Sequence, residues 1–258
     1  MLTEIEFYDR LAEFFDVMTD WQSRLVVELP FLEQIFARHC VQTVLDCACG
    51  TGGHAIALAQ RGYCVTGSDI SAQMIARAQT NAERAGLAIP FAVARFQDLY
   101  STINAQFDAV LCLGNSLPHV LTDAAALESL LNMRVCLRSG GTLILHNLNY
   151  DKRWKERPRW FTVNAGTLED REALVWRFAD YDETAGLIAF NIALFTKNES
   201  GAWSVDVQST LQHPYRQSEI ELLLRRAGFR EIAFYGNLQG VPFDVEQSAD
   251  VVAVAVAE

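Results

Sequence analysis

Two aspartates bracket a glycine-rich stretch in LDCACGTGGHAIALAQRGYCVTGSD, residues 45–69. Asp46 stands four residues ahead of Gly50, and Asp69 closes the next apolar run. Gly50, Gly52 and Ala55 satisfy a GxGxxA spacing, which two large groups of nucleotide-binding proteins share. In a dinucleotide fold such a turn lies against a pyrophosphate, drawn by helix N–H groups and the helix dipole. Asp46 at the strand's end would oppose that phosphate. S-adenosylmethionine carries no phosphate but an ammonium, a carboxylate and a positive sulfonium. A carboxylate under the turn can hold the ammonium or order water beside it. Glycines at 50 and 52 let backbone come close to the adenosyl chain, and Asp69 is placed to accept hydrogen bonds from ribose hydroxyls. Asp69 alone suits NAD equally well, so Asp46 separates the two ligands.

Other chemistry-bearing types are dispersed. The six cysteines form no CxxC pair and mostly sit in or beside apolar runs, as small hydrophobes buried in a reducing compartment do. The five histidines are too scattered to suggest a zinc cluster, so no metal site is expected.

The elements that must position these residues alternate. Residues 10–39 carry apolar positions at helical spacing. Then 43–48 reads as a strand, 53–61 as a helix closed by Gly62, 63–68 as a strand, and 71–85 as a helix with Ser71 as its N-cap. Strands 89–94 and 107–113, helix 123–137 and strand 142–148 follow. Near-continuous apolar runs such as FDAVLCL and TLILHNL suit strands buried on both faces of a parallel sheet. This order predicts a doubly wound α/β fold. Between about 150 and 213 the pattern changes. LVWRFADYD, LIAFNIALFT and AWSVDVQSTL are separated by the hairpin signals ETAG and KNESG, which predicts a three-stranded antiparallel insertion. Helix 217–227, a Gly228 cap and strands 229–236 and 249–256 complete the chain. The expected division is a nucleotide-binding domain of 1–150 and 214–258, and an insertion of 151–213 covering the substrate cleft.

Composition narrows the partners. Of 258 residues half are hydrophobic, enough for a sizeable core, and the formal net charge of −11 gives no footprint for nonspecific nucleic-acid binding. A bound membrane is equally unexpected: MLTEIEFYDR lacks the regions of a signal peptide, and no apolar run approaches the roughly 20 residues of a membrane span. A cytoplasmic protein is therefore expected. The basic run KRWKERPR (152–159) reads as a solvated loop at the lid edge, and an oligomer is compatible with the sequence.

LDCACGTGGH, the acidic strand end GSDIS, and FDAVLCLGNSLPHV together resemble the class I S-adenosylmethionine-dependent methyltransferases. CLGNS-x-x-H and the later NYD look most similar to glycine N-methyltransferase and related small-molecule enzymes. The resemblance implies a seven-stranded sheet of order 3-2-1-4-5-7-6 with the last strand antiparallel, a lid over the substrate, and S-adenosyl-L-methionine as cofactor. It places Asp46, Gly50 and Gly52 in the glycine turn and Asp69 on the ribose, with Ile70 packed on the adenine and Met74 flanking it. Arg95 stands where relatives usually place an acid for the adenine amino group, which leaves Phe96 as the first choice there and Asp98 as the second. The Leu113 carbonyl would face the cofactor's ammonium, Arg24 its carboxylate, and Tyr8 and Trp21 would close over its methionine end. Gly114, Asn115, Ser116 and His119 would line the place where donor and acceptor meet, with Tyr150 of NYD beside them.

One departure bears on the acceptor. The glycine enzyme has an arginine two residues before YD for the substrate carboxylate, and here that residue is Leu148. Further candidates in the lid and cleft are Arg153, Trp160, Arg177, Tyr215 and Arg216, mostly expected at the surface or in the core. Methyl transfer from a sulfonium requires alignment and exclusion of water, and a neutral amine needs no catalytic base. A hydroxyl acceptor would need one, for which His119 is the natural choice. The expected function is methyl transfer to a small molecule, at an amine nitrogen. A noncatalytic cofactor-binding protein and an NAD(P)-dependent oxidoreductase are the alternatives.

Overall fold

The computed structural model describes residues 1–258. The chain opens with α1 (Glu4–Leu11), α2 (Phe15–Met18) and α3 (Trp21–Arg38). The single helical stretch expected over 10–39 is thus broken. Thr19 takes an extended conformation, and the Asp20 side chain accepts from Ser23 N–H at 3.1 Å, which starts a new helix. The alternating section then runs β1 (Thr43–Asp46), α4 (Gly53–Ala59), β2 (Cys64–Asp69), α5 (Ala72–Arg84), β3 (Phe91–Val93), α6 (Leu99–Ile103), β4 (Phe107–Cys112), α7 (Asp123–Val135), β5 (Leu137–Leu148) and α8 (Tyr150–Glu156). A second set of strands follows: β6 (Asn164–Leu168), β7 (Arg171–Asp182), β8 (Leu187–Lys197) and β9 (Trp203–Gln212). Finally come α9 (Gln217–Arg226), β10 (Phe229–Tyr235) and β11 (Asp250–Ala257).

The larger sheet has the order β3-β2-β1-β4-β5-β11-β10, with β11 antiparallel to both of its neighbours. Strand period sorts its side chains to opposite faces. Leu45, Val110, Leu143 and Leu145 pack with Leu130 and Met133 of α7 and Leu223 of α9. Their immediate neighbours Val44, Ala109, Leu111 and Ile144 pack with Leu32 and Phe36 of α3 and Leu58 of α4. Both faces are therefore covered, as the continuous apolar runs require.

The smaller sheet, β6-β7-β8-β9, is antiparallel and has four strands where the sequence predicted three. The extra one, β6, contains Gly166 and is mostly exposed, so no alternation of apolar residues announces it. Val175, Ile192 and Leu194 of this sheet pack with Phe7 and Leu11 of α1 and Met74 of α5. The N-terminal helix therefore clamps the two sheets together, and the open ends of β1, β2, β4 and β5 face the space between. No helix is long and apolar enough to cross a membrane.

Candidate active site

A cavity of about 840 Å³ lies at the carboxyl ends of the central strands, under α1 and the smaller sheet. This is the crevice where an open α/β sheet reverses its strand order, between β1 and β4, and where such folds bind ligands. The volume lies in the upper part of the range common for ligand cavities, about 300–1,000 Å³.

One end is built around Asp69. Its Oδ2 accepts from the Gly50 N–H at 2.9 Å and its Oδ1 from the Ser71 N–H at 3.0 Å. Burial pushes the carboxyl up to about 6, although N–H groups of Ser71, Gly50 and Ile70 oppose the shift. The remaining lone pairs face the cavity and suit donors such as a ribose diol. Gly50 reaches this position with φ +52, a conformation that side chains rarely tolerate, and a Cβ there would lie 3.2 Å from the Phe15 ring. Ile70, Met74 and Phe96 line the same end. Met74 is also wholly buried against Phe7 and Leu11, so it serves the core as well. Asp98, the second choice for the adenine, does not reach the cavity wall, while Arg95 does.

The structure corrects two expectations at the glycine turn. Asp46 and Gly52 lie behind the cavity wall rather than on it. Asp46 is almost wholly buried, and its carboxylate oxygens make no well-formed hydrogen bond, although the Ala48 N–H favours its charged form. Burial pushes it up to about 7. The reason is the strand's end: Asp46 closes β1 facing inward, and the chain meets the cavity from the next residue on, through Cys47, Ala48, Cys49 and Gly50. Asp46 is therefore buried beneath the turn, without direct contact with the cavity. Gly52, with φ +88, starts α4 beside Ala78 of α5.

A second part of the cavity wall is built on α3. The Arg24 Nε donates to Glu28 Oε1 at 2.7 Å, and Glu28 Oε2 meets His54 Nε2 at 2.6 Å. Burial opposes the charge on Glu28, but the His54 contact and the Arg24 guanidinium outweigh it and hold the carboxyl at about 2. Trp21 donates its Nε1–H to Asp16 at 3.0 Å, meets His54 edge-on, and lies under Arg24. A Cβ on Gly53 would come within 2.4 Å of the Trp21 ring. Glu28, His54 and Gly53 escaped the sequence reading. The i, i+4 spacing of Arg24 and Glu28 was the available signal for the first, whereas nothing local reports the contacts of the other two.

At the opposite end the polar side chains form one directed chain. Leu148 N–H donates to Asn115 Oδ1 at 2.9 Å, which fixes the amide. Asn115 Nδ2 then donates to the Tyr150 oxygen at 2.9 Å, and Tyr150 O–H to Gln212 Oε1 at 3.2 Å. Gln212 Nε2 can only donate, so His119 Nε2, 3.2 Å away, accepts and the ring proton sits on Nδ1. The Tyr8 hydroxyl reaches the same Nε2 at 2.8 Å from α1. Burial pulls His119 down to about 4, and it raises both tyrosines above their ordinary value. Every member of this chain is uncharged at neutral pH. His119 is consequently engaged and weakly basic, against its expected service as a base for a hydroxyl acceptor. Asn115 sits at φ +66, and its N–H donates to the His146 carbonyl at 3.0 Å. His146 in turn accepts from the Gly114 N–H through Nδ1 at 3.3 Å, and its Nε2 lies 3.6 Å from Asp250. The Leu113 carbonyl, which lines the cavity, already accepts from Ser116 Oγ at 2.8 Å and keeps one lone pair.

The remaining candidates divide. Arg153, Trp160 and Arg177 line the cavity from the side of α8 and the smaller sheet. Tyr215 is a core residue whose hydroxyl donates to the Val120 carbonyl at 2.6 Å, and Arg216 is an exposed helix start. The basic run 152–159 is dispersed in the same way: Lys155, Arg157 and Arg159 pair with Glu246, Glu183 and Asp180 at the surface, while Arg153 turns inward.

Comparison with known proteins bears on this cavity. Residues 44–141 match the model of a methyltransferase domain. Over 236 residues the chain is 27% identical to a glycine/sarcosine N-methyltransferase of Parasynechococcus marenigrum (strain WH8102), a match spanning 91% of this chain and 79% of that one. It is 32% identical to human glycine N-methyltransferase over 146 residues, 51% of this chain and 49% of that one. Among solved structures, an S-adenosylmethionine-dependent methyltransferase from Clostridium acetobutylicum ATCC 824 superposes with a TM-score of 0.79 at 16% identity, over 97% of this chain and 98% of that chain. A sugar N-methyltransferase from Streptoalloteichus sp ATCC 53650 superposes with a TM-score of 0.73 at 20% identity, over 100% of this chain and 94% of that chain.

Proposed function

We propose an acceptor for this chain on one premise: it is a class I S-adenosylmethionine-dependent methyltransferase, similar to the glycine N-methyltransferases. The acceptor is a small molecule and the methylated atom an amine nitrogen. The observation that carries this reading is the uncharged hydrogen-bond chain Tyr8–His119–Gln212–Tyr150–Asn115 at the acceptor end. A hydroxyl would need a base there, and both histidines facing that end are already engaged. An amine needs only to arrive deprotonated and aligned. The names of the similar enzymes, glycine/sarcosine and sugar N-methyltransferases, support nitrogen as the atom.

When bound, S-adenosylmethionine supplies a methyl carbon on a positively charged sulfur, open to in-line displacement by a lone pair. The chain's residues do the positioning. Asp69 accepts from the ribose hydroxyls, and Ile70, Met74 and Phe96 enclose the adenine. Arg24, one turn from Trp21 on α3, meets the carboxylate, and the free lone pair of Leu113 O accepts from the ammonium. At the acceptor end the oxygens of Tyr8 and Tyr150 accept from the amine N–H groups and aim its lone pair across the cavity. The nitrogen gains the methyl and gives up one proton to solvent. Residues 1–150 with 214–258 hold the donor, and 151–213 cover the acceptor and exclude water.

Neither a nicotinamide oxidoreductase nor a noncatalytic binder gains support from the matches. The test is a methyl-transfer screen over matched primary amines and alcohols with purified full-length protein. The amines are expected to turn over and the alcohols not. Turnover of alcohols alone would refute the nitrogen assignment.

A further inference from the structure

Two guanidinium groups enter the cavity from the lid side, and neither has a carboxylate partner. Arg153 lies one turn beyond Tyr150 on α8, so both present the same face to the cavity. Arg177 lies on β7, two and four residues before Ala179 and Tyr181, which line the cavity with it, as strand alternation requires. The contacts of these arginines are all neutral. The Arg153 guanidinium sits 5.2 Å from the Phe161 ring centre, and Arg177 Nη2 donates to Asn164 Oδ1 at 3.1 Å. The Nε of Arg177 is shut off from solvent with no hydrogen-bond partner at all. Every other cationic residue of the 152–159 run beyond Lys152 pairs with a surface carboxylate. The cavity's own carboxylates, Glu4, Glu28 and Asp69, belong to the donor end on α1, α3 and β2.

Two unpaired guanidiniums repelling each other inside a partly closed cavity cost free energy unless something negative joins them. Burial, with the charge of Arg153 beside it, indeed holds Arg177 below its ordinary value. The neighbouring residues supply none of that negative charge: Trp160, Phe161, Ala179 and Ile188 are apolar. A planar fork of N–H donors is matched by a carboxylate or a phosphate.

Resting on the amine-methyltransferase reading, we infer that Arg153 and Arg177 form an anion subsite and that the acceptor is an amine bearing a carboxylate or a phosphate group. The subsite stands on α8 and the smaller sheet. It thereby holds the acceptor's far end while Tyr150, on the same face of α8 as Arg153, meets the amine. Leu148, at the end of β5, lines the same cavity and packs against Tyr150, Ala179 and Ile188, so it supplies apolar wall while the two arginines supply the charge.

The experiment uses full-length protein, S-adenosylmethionine labelled in the methyl group, and a small-molecule cell extract. Labelled product is passed over an anion exchanger in alkali, where the amine is neutral and a carboxylate or phosphate retains it. It is passed again near pH 7 after the amine has been masked, where a phenol or thiol is no longer retained. Retention is expected, and phosphatase treatment then tells a phosphate ester from a carboxylate. Arg177→Gln and Arg153→Gln are expected to keep the affinity for S-adenosylhomocysteine while labelled product falls about 10- to 100-fold at low extract concentration. Raising the extract concentration should recover much of the loss, and Arg177→Lys should retain part of the activity. Labelled product that passes through the exchanger unretained overturns the subsite and leaves the methyltransferase reading intact, as does Arg177→Gln working at the unsubstituted rate. A chain that binds S-adenosylhomocysteine but labels nothing overturns the amine reading and the subsite with it.

Discussion

Asp69 serves two masters with one carboxylate: it braces the glycine turn through Gly50 and offers its outer lone pairs to the cavity. Asp69→Asn replaces half of those acceptors with donors, so affinity for S-adenosylhomocysteine should fall about 10- to 100-fold by calorimetry, as expected for a lost charge-assisted bond. Unchanged affinity would remove the ribose assignment. His119 yields a prediction of the opposite kind. It is held neutral down to about pH 4, so the turnover rate at saturating acceptor should show no ionisation near its ordinary value of about 6.5. A step there that disappears in His119→Gln would mean that the ring does act as a base. Much of this residue-level picture was legible in the sequence. Asp69, Asn115, Tyr8 and Tyr150 all reach the cavity from positions that a linear pattern marks. Asp46 was legible as a charge but not as a buried one, because the inward facing of its strand end is a property of the sheet. Glu28 and His54 stayed hidden because their contact joins residues 26 apart on different helices.

At the scale of elements, helix α4 sets a local preference against a site requirement. Gly53 opens that helix, where alanine would be intrinsically better by about 1 kcal/mol. Yet an added methyl would press into the Trp21 ring. Gly53→Ala should therefore forfeit the propensity gain: thermal stability falls, and binding of S-adenosylhomocysteine weakens severalfold, as Trp21 is displaced from Asp16 and His54. Lower stability with normal binding would show that the glycine serves the fold instead. The alternation of strands and helices from β1 to β5 was readable because apolar runs and caps such as Ser71 are local signals. The breaks between α1, α2 and α3 were not, since the apolar spacing continues across them and only the Asp20 cap marks the restart. Nor was β6, whose pairing with β7 supplies the backbone bonds that its own side chains do not advertise.

Across the whole molecule the donor end concentrates unneutralised acid. Burial pushes Asp46 to about 7 and Asp69 to about 6, and Glu4 rises to about 7 through burial and the charge of Asp69. A carboxyl raised in this way binds more protons folded than unfolded. Its contribution to stability is complete below the unfolded value of about 4 and is lost as pH rises through the folded value. His119, lowered from about 6.5 to about 4, and His54, which burial also holds below its ordinary value, work in the opposite sense over the same window. Three carboxyls against two imidazoles still make the balance fall, so the melting temperature of the ligand-free protein should decrease from about pH 5 to pH 7, and Asp69→Asn should flatten the slope. A melting temperature that climbs through this range would contradict the assignment. The same unneutralised acid gives a cationic donor a favourable place to bind, on the far side of the cavity from the two lid arginines.

Nitrogen as the methylated atom is tested most directly by nuclear magnetic resonance of the product formed from donor labelled with carbon-13 in its methyl group. An N-methyl resonance is the predicted result. A resonance in the O-methyl range would contradict it, because the uncharged chain from Tyr8 to Asn115 offers no group able to take a hydroxyl proton.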